Sequence, residues 1–205
     1  VMEKEKRMAE DYEITQSVRV GHKEIVYGIN PGSDKPHFCA FYEKEFALAF
    51  WKERYEECVV SDDYLSIMEL FAERVKAQCE QVRAELAAVT VPTEPITADM
   101  CYSNDYNQSI ENKVVAIKRS VFYPEFQNAH RQLVYVTGGS GAKEGSPGRA
   151  CFATNLYTGE NYRWERYEIQ GEVKPEYLPE WAKERLTVIQ KQAEQEKKST
   201  EREAR

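Results

Sequence analysis

Three acidic side chains near the middle of the chain are the residues best placed for chemistry. Asp105, Glu111 and Glu125 surround residues 113–118, a short run with the composition of a β-strand. Carboxylates beside a strand can hold Mg²⁺ for phosphodiester cleavage, and His130 could then move a proton. Asp and Glu are also common in loops, because their side chains form turns. We therefore predict no catalytic residue and no metal ligand, and keep a metal-dependent nuclease as the alternative.

The glycine-rich segment 138–148 is a second place where chemistry is conceivable. Glycines let backbone N–H groups approach a phosphate, and Lys143 and Arg149 would add positive charge. The phosphate-binding pattern Gly-x-x-x-x-Gly-Lys-Ser/Thr is absent, however, and no helix is predicted after the segment. We expect a flexible connection between two strands.

Histidines and cysteines give no sign of a cofactor. His22, His37 and His130 lack the spacing of metal ligands, and the five cysteines contain no Cys-x-x-Cys pair. Cysteines scattered through apolar runs are typical of buried, reduced thiols in a cytosol. Neither a secretory signal nor an apolar run of about 20 residues is present. We therefore predict no cofactor, no membrane contact and a cytoplasmic location.

A combination of basic and aromatic residues is the main binding signal in the second half of the chain. Arg163, Trp164 and Arg166 lie on one predicted strand, where they could stack bases and neutralise phosphates. Alternatively, Trp164 faces the core and the arginines pair with Glu165 and Glu168, which is the interpretation that we favour. The candidate contacts for nucleic acid or a partner are Lys118, Arg119, Arg131, Lys143, Arg149, Arg163, Trp164 and Arg166.

Charge is distributed unevenly along the chain. Residues 1–99 hold 20 acidic and 12 basic side chains, a net charge of −8, whereas residues 100–205 hold 15 acidic and 16 basic, a net charge of +1. An acidic face could meet a basic groove of a partner, although an ordinary solvated face is the simpler interpretation. The candidates for such a partner face are Glu53, Glu56, Glu57, Asp62 and Asp63.

The first part, residues 12–88, is predicted to be an acidic ββ(β)α module. Apolar and polar residues alternate on both sides of Gly21, which predicts a β-hairpin, and residues 37–43 suit a third strand. Residues 45–57 are predicted as a short helix. Residues 61–63 offer an N-cap to a long amphipathic helix. The predicted apolar stripe of that helix consists of Leu65, Met68, Phe71, Val75, Cys79, Val82 and Leu86.

The second part is predicted to be an antiparallel β module with a C-terminal helix. Prolines at 92 and 95 indicate an extended linker over residues 89–99. The predicted strands cover residues 113–118, 131–137, 149–156 and 161–169, and they form a sheet or a small, partly open barrel. Within the module of residues 100–190, a helix follows Pro179, and residues 191–205 form a charged tail that is either helical or disordered. The fold class is therefore α+β.

Whole phrases of the sequence resemble proteins of mobile genetic elements. The segments are Tyr12–Ile29 (YEITQSVRVGHKEIVYGI), Ser61–Val75 (SDDYLSIMELFAERV) and stretches between Val91 and Leu186 such as TNLYTGENYRWER. Together they resemble accessory proteins carried on conjugative elements, plasmids and phages of gut Firmicutes. The resemblance transfers no active-site residue. It implies an anti-defence role, similar to anti-CRISPR inhibitors of type II effector nucleases.

Three functions follow as hypotheses. The first is a non-enzymatic inhibitor that binds a host CRISPR effector nuclease or another defence complex. The second is a nuclease or nucleic-acid-binding protein that acts on guide RNA or DNA through the second module. The third is a structural or regulatory adaptor of conjugation or replication, with a homodimer formed through the helix at residues 179–198.

Overall fold

The computed structural model of the chain describes residues 6–47 and 50–203. Its contacts divide the chain after Val89 into two compact units. Each unit contains a five-stranded antiparallel sheet, and long helices follow both sheets, so the predicted α+β class is confirmed. No helix among these residues combines the length and apolar character that a bilayer crossing requires.

The first unit forms a sheet whose strands are paired in chain order. The elements are β1 (Met8–Ala9), β2 (Tyr12–Val20), β3 (Lys23–Ile29), β4 (His37–Ala47), β5 (Phe50–Ser61) and α1 (Tyr64–Ala87). The hairpin of β2 and β3 and the strand that begins at His37 confirm the prediction. Gly21 lies in the hairpin turn with φ of 61°, a value that side-chain-bearing residues rarely adopt.

The predicted helix over residues 45–57 is wrong. Strand β4 continues to Ala47 and β5 begins at Phe50, while residues 48 and 49 lie outside the described part. Cross-strand pairs hold this long hairpin together. Tyr42 and Tyr55 are direct partners with ring centroids 5.3 Å apart, and the Tyr42 hydroxyl donates to Glu53 Oε1 at 2.9 Å. Such pairs stabilise a ribbon that local helix preference alone would not predict.

Helix α1 covers one face of the first sheet. Ile67 and Phe71 pack against Ile25, Tyr27 and Cys39 from the strands below. The predicted stripe is displaced at its start, because Leu65 is 68% exposed and Ile67 takes the buried position. Later positions follow the prediction better, since Val82 is buried beside Gln78 on the neighbouring turn.

The second unit contains a sheet with the strand order β10-β6-β7-β8-β9. The elements are β6 (Val114–Ile117), α2 (Ala129–Gln132), β7 (Leu133–Gly138), β8 (Ala150–Asn155), β9 (Asn161–Glu165), β10 (Ile169–Glu172) and α3 (Glu180–Glu203). The predicted strand 161–169 is two strands on opposite edges of this sheet. A 3₁₀ turn, Arg166–Glu168, joins them and is closed by a capping box between Glu165 and Glu168.

Each face of the second sheet carries an apolar cluster that is covered by other elements. On one face, Leu133 and Tyr135 pack against Trp181, Leu186 and Ile189 of α3. The other face carries Val115, Val134 and Cys151, covered by Ile110 and Phe122 among others. The sheet is therefore the middle layer of a three-layer unit rather than a barrel.

The segment 89–99, predicted as a linker, contributes to the second unit. Ile96 is buried in the cluster under α3, and a 3₁₀ turn follows at Ala98–Met100. At the other end of the unit, α3 carries helical structure through residues 191–203 of the predicted tail.

Helix α1 begins at an N-cap whose contribution can be measured. The Asp63 carboxylate accepts hydrogen bonds from the Leu65 N–H at 2.9 Å and from the Ser66 hydroxyl at 2.6 Å. The bond from Ser66, which has the larger effect, and the bond from Leu65 lower the pKa of Asp63 below its ordinary value of 3.8.

We expect Asp63→Ala to lower the urea midpoint of unfolding at pH 7, because an orphan N–H of the first turn loses its acceptor. Asp62→Ala is the matched control and should leave the midpoint unchanged. A depressed carboxyl pKa stabilises the fold above the unfolded value, and the stabilisation disappears as pH falls through the folded value. The difference between wild type and Asp63→Ala should therefore shrink below about pH 4. Equal midpoints for all three proteins at pH 7 would contradict this account.

Candidate partner-binding surface

A groove of about 700 Å³ opens between α3 and the outer strands of the second sheet. Its lining includes Phe152, Arg163, Thr137 and Asn161 from the sheet and Ile189 and Gln192 from α3. The register explains why the sheet residues share a face. Phe152 is the direct partner of Arg163, and Thr154 is the partner of Asn161. Because side chains alternate along a strand, these two pairs point to the same side as α3.

Phe152 and Arg163 dominate the exposed part of the groove. The Phe152 side chain is 50% exposed although it lies within a strand beside a helix. Arg163 donates to Glu165 at 2.6 Å, but its side chain is 57% exposed, so this ion pair contributes little stability. Aromatic and arginine side chains supply much of the binding energy in protein interfaces. The groove therefore presents two side chains that are suited to a partner.

The outer edge of β9 has backbone groups that another strand could bind. Hydrogen bonds from Arg166 N to Arg149 O (2.7 Å) and from Asn155 N to Glu160 O (2.8 Å) fix which β9 residues face β8. In an antiparallel ladder the residues between them alternate, so Asn161 and Arg163 direct their N–H and C=O groups outward.

Only one end of this outer edge is closed. The N–H of Glu165 also points outward, but it donates to the Glu168 carboxylate at 2.7 Å. Within residues 6–47 and 50–203, no other strand pairs with β9 on that side. Asn161 and Arg163 therefore form a short open edge beside the groove.

Trp164 lies on the opposite side of β9 from the groove. Its ring packs edge-on against Phe122 at 5.8 Å and lies 6.0 Å from the Tyr162 ring. It is half-buried against the apolar cluster that contains Cys151. Trp164 and Arg163 are therefore on different faces of the sheet, and the predicted basic and aromatic surface does not form as one continuous patch.

Arg166 is a correction to the predicted contacts, because its side chain is only 1% exposed. The guanidinium donates to the backbone oxygens of Gly141 (3.2 Å), Asp105 (2.9 Å) and Gln108 (3.2 Å), and it lies over the Tyr106 ring. Burial lowers the pKa of Arg166. Arg166 thus links two loops inside the unit and is not available to a partner.

The remaining predicted basic residues are spread over the second unit. Arg131 stacks over Phe126 at 4.6 Å, and Arg119 donates to Gln127 at 3.2 Å. The side chains of Lys118, Lys143 and Arg149 form no ion pair with another described residue. Within the segment 138–148, Gly141 and Ala142 are buried, whereas Lys143 and its two following neighbours are exposed.

The predicted acidic partner face is largely engaged within the first unit. Glu53 accepts from Tyr42, and burial together with this carboxylate raises the pKa of Tyr42 to about 12. Glu56 pairs with Arg54, Glu57 lies 4.0 Å from Arg74, and Asp63 caps α1. Asp62 is exposed beside this cap. Intramolecular pairing therefore reduces the charge that this face could offer to a basic groove.

The residues considered for a nuclease centre do not converge. Asp105 accepts from the Asn107 N–H at 2.9 Å, whereas His130 is buried against the Tyr157 ring at 5.4 Å. Burial, and secondarily the charge of Arg131, lowers the pKa of His130. In the part of the chain that the structure describes, no group of three or more His, Cys, Asp or Glu residues is close enough to hold a metal ion.

Comparisons of the chain with family models, curated proteins and solved structures find no match. The interpretation of the groove therefore depends on its geometry and on the resemblance of the sequence. The sequence did not point to Phe152, because it is one of four consecutive apolar residues at positions 150–153. Phe152 shares the groove with Ile189 and Gln192 of α3, and strand alternation alone does not encode how a distant helix borders a strand.

Replacement of Arg166 tests its role inside the unit. We expect Arg166→Met to lower the free energy of unfolding by about 2 kcal/mol, because the buried carbonyl oxygen of Gly141 and the partly buried ones of Asp105 and Gln108 lose a charged donor. Arg149→Met, which removes an exposed guanidinium, should change it by less than about 0.5 kcal/mol. Urea denaturation monitored by tryptophan fluorescence measures both values. Similar small effects for the two variants would show that Arg166 does not hold the loops together.

Proposed function

We propose that this chain is an anti-defence protein that binds a host nuclease complex and inhibits it by contact. The resemblance of the sequence to accessory proteins of mobile elements supports the biological setting. The groove and the open edge of β9 support contact as the mode of action. We place the contact at β9, with an extended segment of the nuclease protein as the occupant.

The open edge of β9 is the observation that carries this proposal. Unpaired strand edges attract other chains, and proteins usually protect them with charge, bulges or covering loops. At Asn161 and Arg163 no other described strand pairs with the edge, although the ion pair of Arg163 and Glu165 places charge there, and Phe152 lies one strand away. An extended peptide could pair with the backbone there while its side chains occupy the groove, a common mode of peptide recognition.

The opposite edge of the same sheet, formed by β10, is covered by another segment of the chain. Tyr102 N donates to Glu172 O at 2.8 Å, and the side chain of Asn104 donates to Ile169 O at 2.9 Å. Residues of the 101–104 segment therefore cover the backbone of β10. The contrast makes the β9 edge the preferred point of contact for another chain.

Co-elution with a guide-loaded type II CRISPR effector nuclease, together with a DNA-cleavage assay, tests the proposal. We expect complex formation and loss of cleavage with the wild-type chain. Phe152→Gln should weaken binding at least about tenfold, since truncation of an interface anchor costs more than 1 kcal/mol. The matched control is Tyr167→Gln, because Tyr167 is 52% exposed and does not line the groove.

Two results would contradict the proposal. Absence of binding to any guide-loaded effector would remove the biological claim, and equal losses for Phe152→Gln and Tyr167→Gln would remove the assignment to the groove. The same reaction mixtures address the alternative of a nuclease. Fragmented guide RNA in the presence of Mg²⁺ would establish catalysis by the chain and would replace inhibition by contact.

A further inference from the structure

A second, smaller pocket of about 280 Å³ lies at the far end of the second sheet from β9. One wall is formed by residues 96–98 and the other by Lys118, Arg119 and Ser120, with Gln170 between them. All of these residues belong to the second unit. The pocket therefore combines two cationic side chains, two hydroxyls and an amide.

A buried glutamine fixes the two walls relative to each other. Gln132 is fully buried, and its amide group accepts from Ile96 N at 2.9 Å. The same amide donates to Ile96 O and to Ile117 O, both at 3.0 Å. Lys118 follows Ile117 directly, so the hydrogen bond from Gln132 to Ile117 O also fixes the backbone at Lys118. A site held in this way is formed before any ligand arrives.

A bulge in β10 brings Gln170 to the pocket. The register between β10 and β6 shifts between Ile169 and Gly171, so Gln170 has no direct partner in the ladder. Gly171 adopts φ of 155°, in a region open to glycine. Bulges of this kind redirect a side chain and occur often beside functional sites. Here the bulge places an amide among the donors of the 118–120 segment.

Three polar side chains of the pocket make no hydrogen bond within the described chain. Neither Lys118 Nζ, nor Ser120 Oγ, nor the Gln170 amide forms a hydrogen bond with any described residue. Arg119 uses one nitrogen toward Gln127 and retains its other donors. Two carboxylates lie close in sequence to the lining: Asp99 accepts from the Thr97 hydroxyl of the pocket wall, and Glu168 accepts from Glu165 N. The pocket therefore presents unused donors on Lys118, Ser120 and Gln170 beside the guanidinium of Arg119.

We propose that this pocket binds a phosphate group through Lys118, Arg119, Ser120 and Gln170. Phosphate oxygens accept several hydrogen bonds and carry the negative charge that a Lys and Arg pair neutralises. The group could be a free phosphate or a phosphodiester of a single-stranded nucleic acid, and both present the same oxygens. This inference does not depend on the groove beside β9, because it uses different residues at the other side of the sheet.

Titration by two-dimensional NMR, with inorganic phosphate in one arm and a short single-stranded RNA in the other, tests the pocket. We expect saturable shifts at the backbone amides of Ser120 and Gln170. Lys118→Gln should weaken the response at least about tenfold, whereas Lys143→Gln, which removes an equally unpaired lysine elsewhere, should not. For RNA, Lys118→Gln should also reduce the slope of log affinity against log salt by about 1, the effect of one lost phosphate contact.

The two arms separate the sources of the phosphate. Saturation by inorganic phosphate without tighter binding of RNA assigns a free phosphate, and tighter binding of RNA assigns a nucleic-acid backbone. The proposal is overturned if neither probe shifts Ser120 and Gln170, or if Lys118→Gln and Lys143→Gln reduce the response equally. A spectrum of Lys118→Gln that matches the wild-type spectrum away from the pocket confirms that this variant is folded. Ser120→Ala provides a second variant with no change of charge.

Discussion

The buried guanidinium of Arg166 is the interaction on which the second unit depends. A charged group without water needs several acceptors, and here three backbone oxygens from the 105–108 and 141 regions supply them. By the same bonds, Arg166 ties the 3₁₀ turn between β9 and β10 to the loops on one side of the sheet. The chain can therefore leave β9 and cross to the opposite edge before it pairs with β6.

This crossing makes the two edges of the sheet chemically different. If the chain had turned back at Glu165, another strand would have covered β9, and its outward N–H and C=O groups would have been paired. Instead β10 is delivered to the far edge, where residues 101–104 cover it. The open edge of β9 is thus a direct consequence of the crossover.

Local patterns were sufficient for much of the architecture but not for the sites. The alternation around Gly21 predicts the β2–β3 hairpin, and the cap at Asp63 predicts the start of α1. Both predictions succeed because these features depend on residues that are close in sequence. The stretch 45–57 was mispredicted because its strand character comes from cross-strand partners such as Tyr42 and Tyr55. Arg166 was assigned to a surface because the predicted strand 161–169 continues past Glu165, where the capping box ends the strand. The groove and the phosphate pocket depend on segments distant in sequence, which periodicity does not bring together.

Hydrogen–deuterium exchange of the chain, alone and with a guide-loaded effector nuclease, tests the central claim most directly. The outward amides of Asn161 and Arg163 have no acceptor in the described chain, so they should exchange rapidly in the free protein. On binding they should become protected together with the 150–154 segment, because an incoming strand provides acceptors and covers Phe152. Formation of a complex in which the β9 peptide exchanges as fast as before, while protection appears elsewhere, would contradict contact through this edge.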